Sequence, residues 1–225
     1  MQGSAVVPAW KRMLDLALIV IASPLLATVG LLLAAYIKVV SPGPVFFRQE
    51  RIGLGGRRFV CFKFRSMHAG ADSAKHQRHV AQLLADNAPM TKMDGAGDAR
   101  IIPGGRLLRA SGFDELAQLW NVVRGEMSLV GPRPCTPQEF QFYSASQKAR
   151  CSTLPGLTGL WQVSGKNKTT FTQMIELDLR YAQKLSLRAD VNIIFRTVAV
   201  LLGQIREMFV HSEESGMSGM SMRLQ

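Results

Sequence analysis

Two adjacent carboxylates, Asp114 and Glu115, lie inside the stretch GRLLRASGFDELAQLWNVVRGEMSLVGPRP, residues 105–134. Arg106 and Arg109 precede them, and Arg133 follows between Pro132 and Pro134. Guanidinium groups present a planar fork of donors that suits phosphate oxygens, so an acid pair in this company points to chemistry on a phosphorylated substrate. Leu116, Leu119, Trp120 and Val123 recur at i, i+3, i+4 and i+7. That spacing predicts an amphipathic helix burying those four, with Asp114, Glu115, Gln118 and Asn121 turned toward a cleft or solvent. A structural alternative stands beside it: Ser111-Gly-Phe-Asp114 fits a capping box, in which Asp114 stabilises a helix start.

The elements that must position this stretch follow from the rest of the chain. Its 225 residues suffice for one ordinary domain and an appendage. A net charge of +11 and a pI near 10.1 call for an anionic partner: nucleic acid, a phosphorylated substrate or an acidic leaflet. Few aromatic residues interleave with the lysines and arginines, which argues against nucleic acid. Cys61, Cys135 and Cys151 are odd in number and lack CxxC spacing, so neither a disulfide framework nor a structural zinc site is indicated.

Residues 16–37, LALIVIASPLLATVGLLLAAYI, carry no charge. As a straight helix they would reach about 33 Å, enough for a membrane span. Ser23-Pro24 interrupts the run, where proline removes a backbone hydrogen bond and predicts a kink. Lys11 and Arg12 precede the run, and Lys38, Arg48 and Arg51 follow it, so the positive-inside rule gives no direction for threading. A helix that breaks at Ser23-Pro24 and returns to the same face fits both features; a kinked single span fits them equally.

After Ser41-Pro-Gly-Pro44, the segments VFFRQE and RRFVCFKFRSM flank Ile52-Gly-Leu-Gly-Gly56, a hairpin pattern in which the glycines read as a turn. Lys63 and Arg65 fall on one side of the second strand, Phe62 and Phe64 on the other. The two cations suit an anionic group, or form an ordinary solvated face. Residues 73–87 read as a helix with Val80, Leu83 and Leu84 inward, and His76 and His79 as a surface pair rather than metal ligands. Residues 138–150 read as helical, and LPGLTGLW, 154–161, as turn-rich, leading to Gln162. A helix over 172–185 places Asp178 and Tyr181 on one face. A last helix, 192–209, has Ile194, Val198, Leu201, Leu202 and Ile205 on one side and either lies in a membrane interface or packs on the core. Residues 1–40 thus form a lead and membrane helix, 41–209 the main domain, and 210–225 a disordered tail.

KRMLDL, Ser23-Pro24, SPGPVFFRQERIG, Lys63-Phe-Arg-Ser-Met67, Arg109 with Asp114-Glu115-Leu116, QLWNVVRGEMSLVGPRP, LPGLTGLWQVSG and Asp178-xx-Tyr181 occur in this order over residues 11–203. The chain in this respect resembles the monotopic polyprenyl-phosphate phosphoglycosyl transferases, the bacterial sugar transferase family, in their minimal form. The resemblance implies an α+β fold: an N-terminal re-entrant membrane helix and a small, mainly helical cytoplasmic catalytic domain, with a β-hairpin and interfacial amphipathic helices. It implies an enzyme of the bacterial inner membrane, monotopic and facing the cytoplasm, that moves a sugar phosphate from a UDP-sugar to undecaprenyl phosphate with Mg2+ and releases UMP. Anionic inner-membrane lipids are implied partners, nucleic acid is not, and a homodimer is left open.

By the same similarity Asp114 is the nucleophile and forms an acyl-phosphate link, while Glu115, with Asp114, holds Mg2+. Arg109 binds phosphate, with Lys63, Arg65 and Arg133 as further candidates; Gln162, Asp178 and Arg106 line the site. Ser23 and Pro24 break the membrane helix. The family usually reads DELPQ, whereas this chain has Ala117, which loosens a backbone that proline would pre-set. Two other functions remain to be separated: a membrane-associated glycosyltransferase would release UDP, and a basic membrane anchor would turn over no nucleotide and bind with strong salt dependence.

Overall fold

The computed structural model describes residues 7–70, 82–83, 86–90 and 98–221, with the backbone alone for residues 167, 205 and 207–221. His76, His79, Val80 and Leu84 lie outside the described residues; Leu83 is buried, as its helical phase predicts.

The uncharged run forms helix α1, Ala9–Val40, continuous through Pro24. It is long and apolar enough to cross a membrane. Its middle, including Val20, Ile21, Leu25, Leu31 and Leu32, is exposed, while both ends are fastened to the rest of the chain. Near the start, the fully buried Lys11 ammonium donates to the Val130 carbonyl at 2.7 Å and the Tyr181 hydroxyl at 2.9 Å, and pairs with Asp190 at 2.6 Å. One turn on, Asp15 Oδ1 accepts from Ser128 Oγ and the Leu129 amide, each at 3.0 Å. Buried charges persist only when paired and hydrogen-bonded, so these contacts specify how the helix base docks. At the far end Ile37 is buried with Phe64, Ile102 and Leu108, and the Tyr36 hydroxyl donates to the Pro103 carbonyl at 3.0 Å.

The expected hairpin forms from β1, Phe46–Ile52, and β2, Arg58–Phe64, paired antiparallel from Phe46↔Phe64 to Ile52↔Arg58. Residues 53–57 make the turn, a 3-10 segment at Leu54–Gly56, as the glycines predict. Helix α2, Gly105–Ser111, ends at Gly112, whose φ of +74° is a left-handed conformation suited to glycine. A 3-10 segment, Phe113–Gln118, then runs directly into helix α3, Leu119–Val123.

This break corrects the predicted buried face. Trp120 and Val123 are exposed, whereas Asp114, Gln118 and Asn121 are buried. A 3-10 turn has three residues rather than 3.6, which rotates everything after Gly112 relative to an α-helical phase. Asn121 fixes the new orientation: its side chain accepts from the Phe62 amide at 3.1 Å and donates to the Val60 carbonyl at 2.7 Å, clamping α3 to β2. The capping-box alternative also fails, because Ser111 belongs to α2 and its hydroxyl donates back to the Leu107 carbonyl at 2.7 Å.

Two short parallel strands that sequence patterning missed, β3 at Ser128–Val130 and β4 at Gly156–Thr158, join the GPRP and LPGLTG segments. Gly131 N donates to Thr158 O at 2.8 Å and Gly156 N to Pro132 O at 2.9 Å. The approach leaves no room for a side chain: a Cβ on Gly156 would stand 2.0 Å from Gly131 N. Residues 138–150 break into α4, Pro137–Gln141, and α5, Ala145–Lys148, each started by a capping box, at Thr136 and Ser144. Helix α6, Leu160–Val163, carries Gln162, and α7, Phe171–Gln183, holds Asp178 and Tyr181 on one face, as their spacing predicts, and buries both.

The last helix, α8, spans Leu187–Ser221 and so continues past residue 209, the end its apolar spacing predicts. Its Ile193 is buried, with Ile194 and Val200 packed alongside, but Phe195, Val198 and Leu202 face outward. The architecture is thus mixed helix and strand, with one long apolar helix at the N-terminal side.

Candidate active site

The acid pair sits where three elements meet. The glycine at 112 redirects the chain out of α2, and the Glu115 amide donates to the Gly112 carbonyl at 3.0 Å, closing the first turn around the acids. Immediately after them, Leu116 and Ala117 pack on the same core as Leu33, Ala34 and Ile37 of α1. The carboxylates are therefore carried on the seam between the apolar helix and the rest of the domain.

Strand β2 supplies the countercharge. Lys63 Nζ lies 2.7 Å from Glu115 Oε1. Burial works against the Lys63 ammonium, yet Glu115 and Asp114 together outweigh it and hold its pKa above the ordinary lysine value. Asp114 itself is buried and Glu115 is partly exposed. Arg106, exposed, and Arg109, half-buried, lie on α2, which packs directly against the acid-bearing turn. Arg65 is placed differently: its guanidinium donates to the Ser41 carbonyl at 2.7 Å and the Pro42 carbonyl at 2.6 Å, so it holds the exit of α1.

A second cationic group extends from Lys63 through Arg51. Arg51 Nη1 donates to the Pro134 carbonyl at 3.0 Å and Nη2 to Gln49 Oε1 at 2.6 Å. It is close enough to Lys63 on one side and Arg133 on the other that the like charges repel. Glu139, buried, relieves that repulsion: its Oε1 accepts from Arg133 Nη1 at 3.0 Å and its Oε2 lies 3.9 Å from Arg51 Nη1. Burial pushes the Glu139 carboxyl up, but Arg133, Arg51 and the Thr136 amide prevail and hold its pKa at about 2.

Beneath the Arg133 turn, Asp178 and Arg150 form a fully buried ion pair. Asp178 also accepts from the Arg133 amide at 3.3 Å, and Arg150 donates to the Arg133 carbonyl at 2.7 Å and to the Tyr143 hydroxyl at 2.9 Å. Asp178 thus acts on the site by fixing the backbone that carries Arg133. Gln162 stands against the same turn; a Cβ on Gly159 would meet its Oε1 at 2.9 Å and the Gly131 carbonyl at 2.1 Å. Gln162 Oε1 and Asp178 Oδ1 are both buried without a protein partner, acceptors suited to water or a substrate donor.

Arg51, Glu139 and Arg150 were not singled out from the sequence. Their signal is pairing across the chain, which leaves no periodicity; the Thr136-x-x-Glu139 capping box was the one local hint. Among the described residues no group of three or more His, Cys, Asp or Glu side chains comes together for a metal. Two hard carboxylate oxygens do fit magnesium, which usually takes one or two carboxylates and fills its shell with substrate phosphates and water.

A family model described as bacterial sugar transferase matches residues 6–204. The exopolysaccharide production protein ExoY of Sinorhizobium fredii is 36% identical over 188 residues, covering 84% of this chain and 83% of that protein. A UDP-glucose:undecaprenyl-phosphate glucose-1-phosphate transferase of Caulobacter vibrioides is 43% identical over 203 residues, covering 85% and 69%. The galactosyl transferase CpsE of Streptococcus agalactiae is 39% identical over 193 residues; the match covers 85% of this chain but 42% of CpsE, so the chain spans less than half of that longer relative.

Proposed function

The chain belongs to the bacterial sugar transferase family, and on that premise we propose that it transfers a sugar-1-phosphate from a UDP-sugar to undecaprenyl phosphate through an aspartyl phosphosugar intermediate. The observation that carries this reading is the position of Asp114-Glu115: a buried carboxylate beside a half-buried one, countered by Lys63, on the seam with α1. One substrate is a soluble dianion and the other a lipid phosphate held at headgroup depth, so the reacting group must stand where an apolar helix meets a polar domain.

Asp114 Oδ attacks the sugar-bearing phosphorus, the bond from that phosphorus to the bridging oxygen breaks, and UMP departs with that oxygen. An oxygen of undecaprenyl phosphate then attacks the same phosphorus, the acyl-phosphate bond opens, and Asp114 is regenerated with polyprenyl-diphosphate-sugar as product. Glu115, with help from Asp114, would hold magnesium, whose charge would offset that of the diphosphate. Lys63 keeps two neighbouring acids from repelling one another and contributes positive charge at the transferred group. Arg109 and Arg133, with Arg106 further out, orient phosphate oxygens; positioning and charge supply most of what phosphoryl transfer requires. Arg65 serves this site through the backbone that leaves α1.

Both ends of α1 are bonded to one domain, Lys11 to Asp190 and Tyr36 to Pro103. That attachment supports a re-entrant arrangement with both ends at the cytoplasmic face of the inner membrane; the helix is continuous through Pro24, so Ser23-Pro24 would bend it rather than break it. The outward Phe195, Val198 and Leu202 of α8 and Trp120 of α3 suit the bilayer interface, with anionic lipids attracted by the net +11 charge. The product would begin an exopolysaccharide, capsule or O-antigen unit. Incubation with a panel of UDP-sugars, Mg2+ and undecaprenyl phosphate tests the reading: UMP release dependent on the lipid is expected, and UDP release would overturn it in favour of a direct glycosyltransferase.

A further inference from the structure

Five charged side chains meet around the Arg133 turn: the guanidiniums of Arg51, Arg133 and Arg150 and the carboxylates of Glu139 and Asp178. Arg150 and Asp178 pair with each other and are shut off from solvent, 1% and 0% exposed. Glu139 is left to serve two arginines at once, at 3.0 Å from Arg133 and 3.9 Å from Arg51. Three cations thus face two carboxylates, and the excess falls on Arg51. Its shorter contacts go to neutral acceptors, the Pro134 carbonyl at 3.0 Å and Gln49 Oε1 at 2.6 Å. Burial lowers the pKa of all three arginines; Glu139 and Asp178 outweigh it at Arg133 and Arg150, whereas at Arg51 the nearby Arg133 charge adds to it and the pKa stays below the ordinary arginine value. Arg51 and Arg133 are also the two that solvent reaches, with side chains 11% and 20% exposed. A shielded cation short of its counterion is a ready site for an anion.

We propose that Arg51, together with Arg133, is a phosphate seat used twice in each turnover: first by the departing UMP, then by the undecaprenyl phosphate that follows it. The order of occupants rests on the two-step reaction proposed above. The hairpin register sets the seat beside the acid pair. Arg51 lies opposite Phe59 and Gln49 opposite Cys61, so both share a face with Lys63. The Arg51 guanidinium reaches back along that face to Gln49, and Lys63 Nζ ends at Glu115. The cations therefore run from the acid pair through Lys63 and Arg51 to the Arg133 turn. A donor with its sugar-bearing phosphorus at Asp114 lays its second phosphate along this row.

Phosphoryl transfer puts the attacking and leaving oxygens on opposite sides of phosphorus. In the first displacement Asp114 enters opposite the bridging oxygen, which departs with UMP and keeps the electron pair of the broken bond. In the second, Asp114 is the group that leaves: its bond to phosphorus breaks as the bond from the acceptor oxygen forms, and that oxygen comes from the side UMP has vacated. The phosphate behind it falls where the UMP phosphate was. The two occupants are chemically alike, each a phosphate monoester carrying about −1.5 to −2 charge at pH 7, and their oxygens match the planar guanidinium forks. Glu139 tempers the seat, so that UMP is held but can still be exchanged.

Calorimetry of UMP binding to the full chain in detergent with Mg2+ tests the seat without any turnover. Undecaprenyl phosphate added to the micelles is expected to displace UMP competitively, whereas undecaprenol, which lacks the phosphate, leaves it bound. Arg51→Gln should weaken UMP and undecaprenyl phosphate each by at least about tenfold, through loss of a charge-assisted hydrogen bond, and leave the affinity for uridine unchanged; a merely structural role would weaken uridine equally. Arg51→Lys, which keeps the charge and loses the fork, should fall between, and it carries the test if the glutamine variant does not fold. Absence of UMP binding, or simultaneous binding of UMP and undecaprenyl phosphate, would overturn the shared seat. Undiminished UMP affinity in the variants would overturn the role of Arg51. Because none of these measurements uses a donor sugar, release of UDP in place of UMP in the donor assay would count against the proposed reaction alone.

Discussion

Glu139 and Arg133 form an ion pair, Nη1 to Oε1 at 3.0 Å, with the carboxylate almost wholly shielded from solvent. The same carboxylate neutralises Arg51 from the other side. Its pKa is depressed from the ordinary 4.5 to about 2, so the stability it contributes is present in full above pH 4.5 and is lost as pH falls through the interval down to about 2. Glu139→Gln should flatten that part of the stability-versus-pH curve. It should also destabilise the protein by about 3 kcal/mol at neutral pH, because two arginines lose their buried counterion. Chemical denaturation of both proteins between pH 2 and 7 measures each effect; parallel curves would contradict the assignment.

Asp114→Asn should reduce UMP release by at least about a thousandfold while the circular dichroism spectrum stays unchanged, since an amide is no nucleophile toward phosphorus. Mass spectrometry of the wild-type protein given donor alone should find a phosphosugar on the peptide around residue 114. Full activity in the variant would remove Asp114 from its role.

Glu115→Gln is expected to raise the Mg2+ concentration needed for half-maximal rate, and to lower the pKa of Lys63 toward its ordinary value, because its strongest neighbouring anion is gone. Magnesium titration of the rate, and chemical-shift titration of the Lys63 ammonium, read these two consequences separately.

Gly156→Ala should be among the most damaging conservative changes in the chain. Its Cβ would fall 2.0 Å from Gly131 N and 2.2 Å from Thr158 O, contacts that only backbone movement can relieve. The β3–β4 ladder would open and the Arg133 turn would shift with it. A melting temperature lower by several degrees, together with a weakened apparent affinity for UDP-sugar, is the expected result; an unchanged melting curve would mean that the ladder yields more easily than its packing indicates.

Pro24→Ala restores a backbone donor in the middle of α1 and should favour a straight, spanning helix. A reporter at the N-terminus that moves to the periplasmic side would bear this out, and one that remains cytoplasmic would show that Lys11 and Asp15 alone hold the topology.

What could be read in advance was whatever repeats along the chain. The alternation in FFRQERI and RFVCFKF marked the hairpin, the absence of charge from Leu16 to Ile37 marked α1, and the three-residue step from Asp178 to Tyr181 marked one face of a helix, though not its burial. The acid pair was visible too, through its neighbours. Its orientation was not: the α-helical phase assigned Trp120 to the interior and Asn121 to a cleft or solvent, and the 3-10 turn after Gly112 reversed them. The pairing of Arg51 with Glu139, Arg150 with Asp178 and Lys11 with Asp190 was equally hidden. Each joins elements whose approach depends on the completed fold, and single-residue spacing carries no record of it. β3 and β4, three residues each, are too short for any alternation to declare itself.

The bond between Lys11 and Asp190 spans 179 positions of sequence. At roughly 5–20 residues per second, ribosomes take on the order of 10–35 s to travel that far. Throughout this interval the apolar N-terminal segment already exists while Asp190, the counterion of Lys11, has yet to be translated. The order of synthesis therefore leaves a helix long and apolar enough to cross a membrane complete well before the residue that fastens its base.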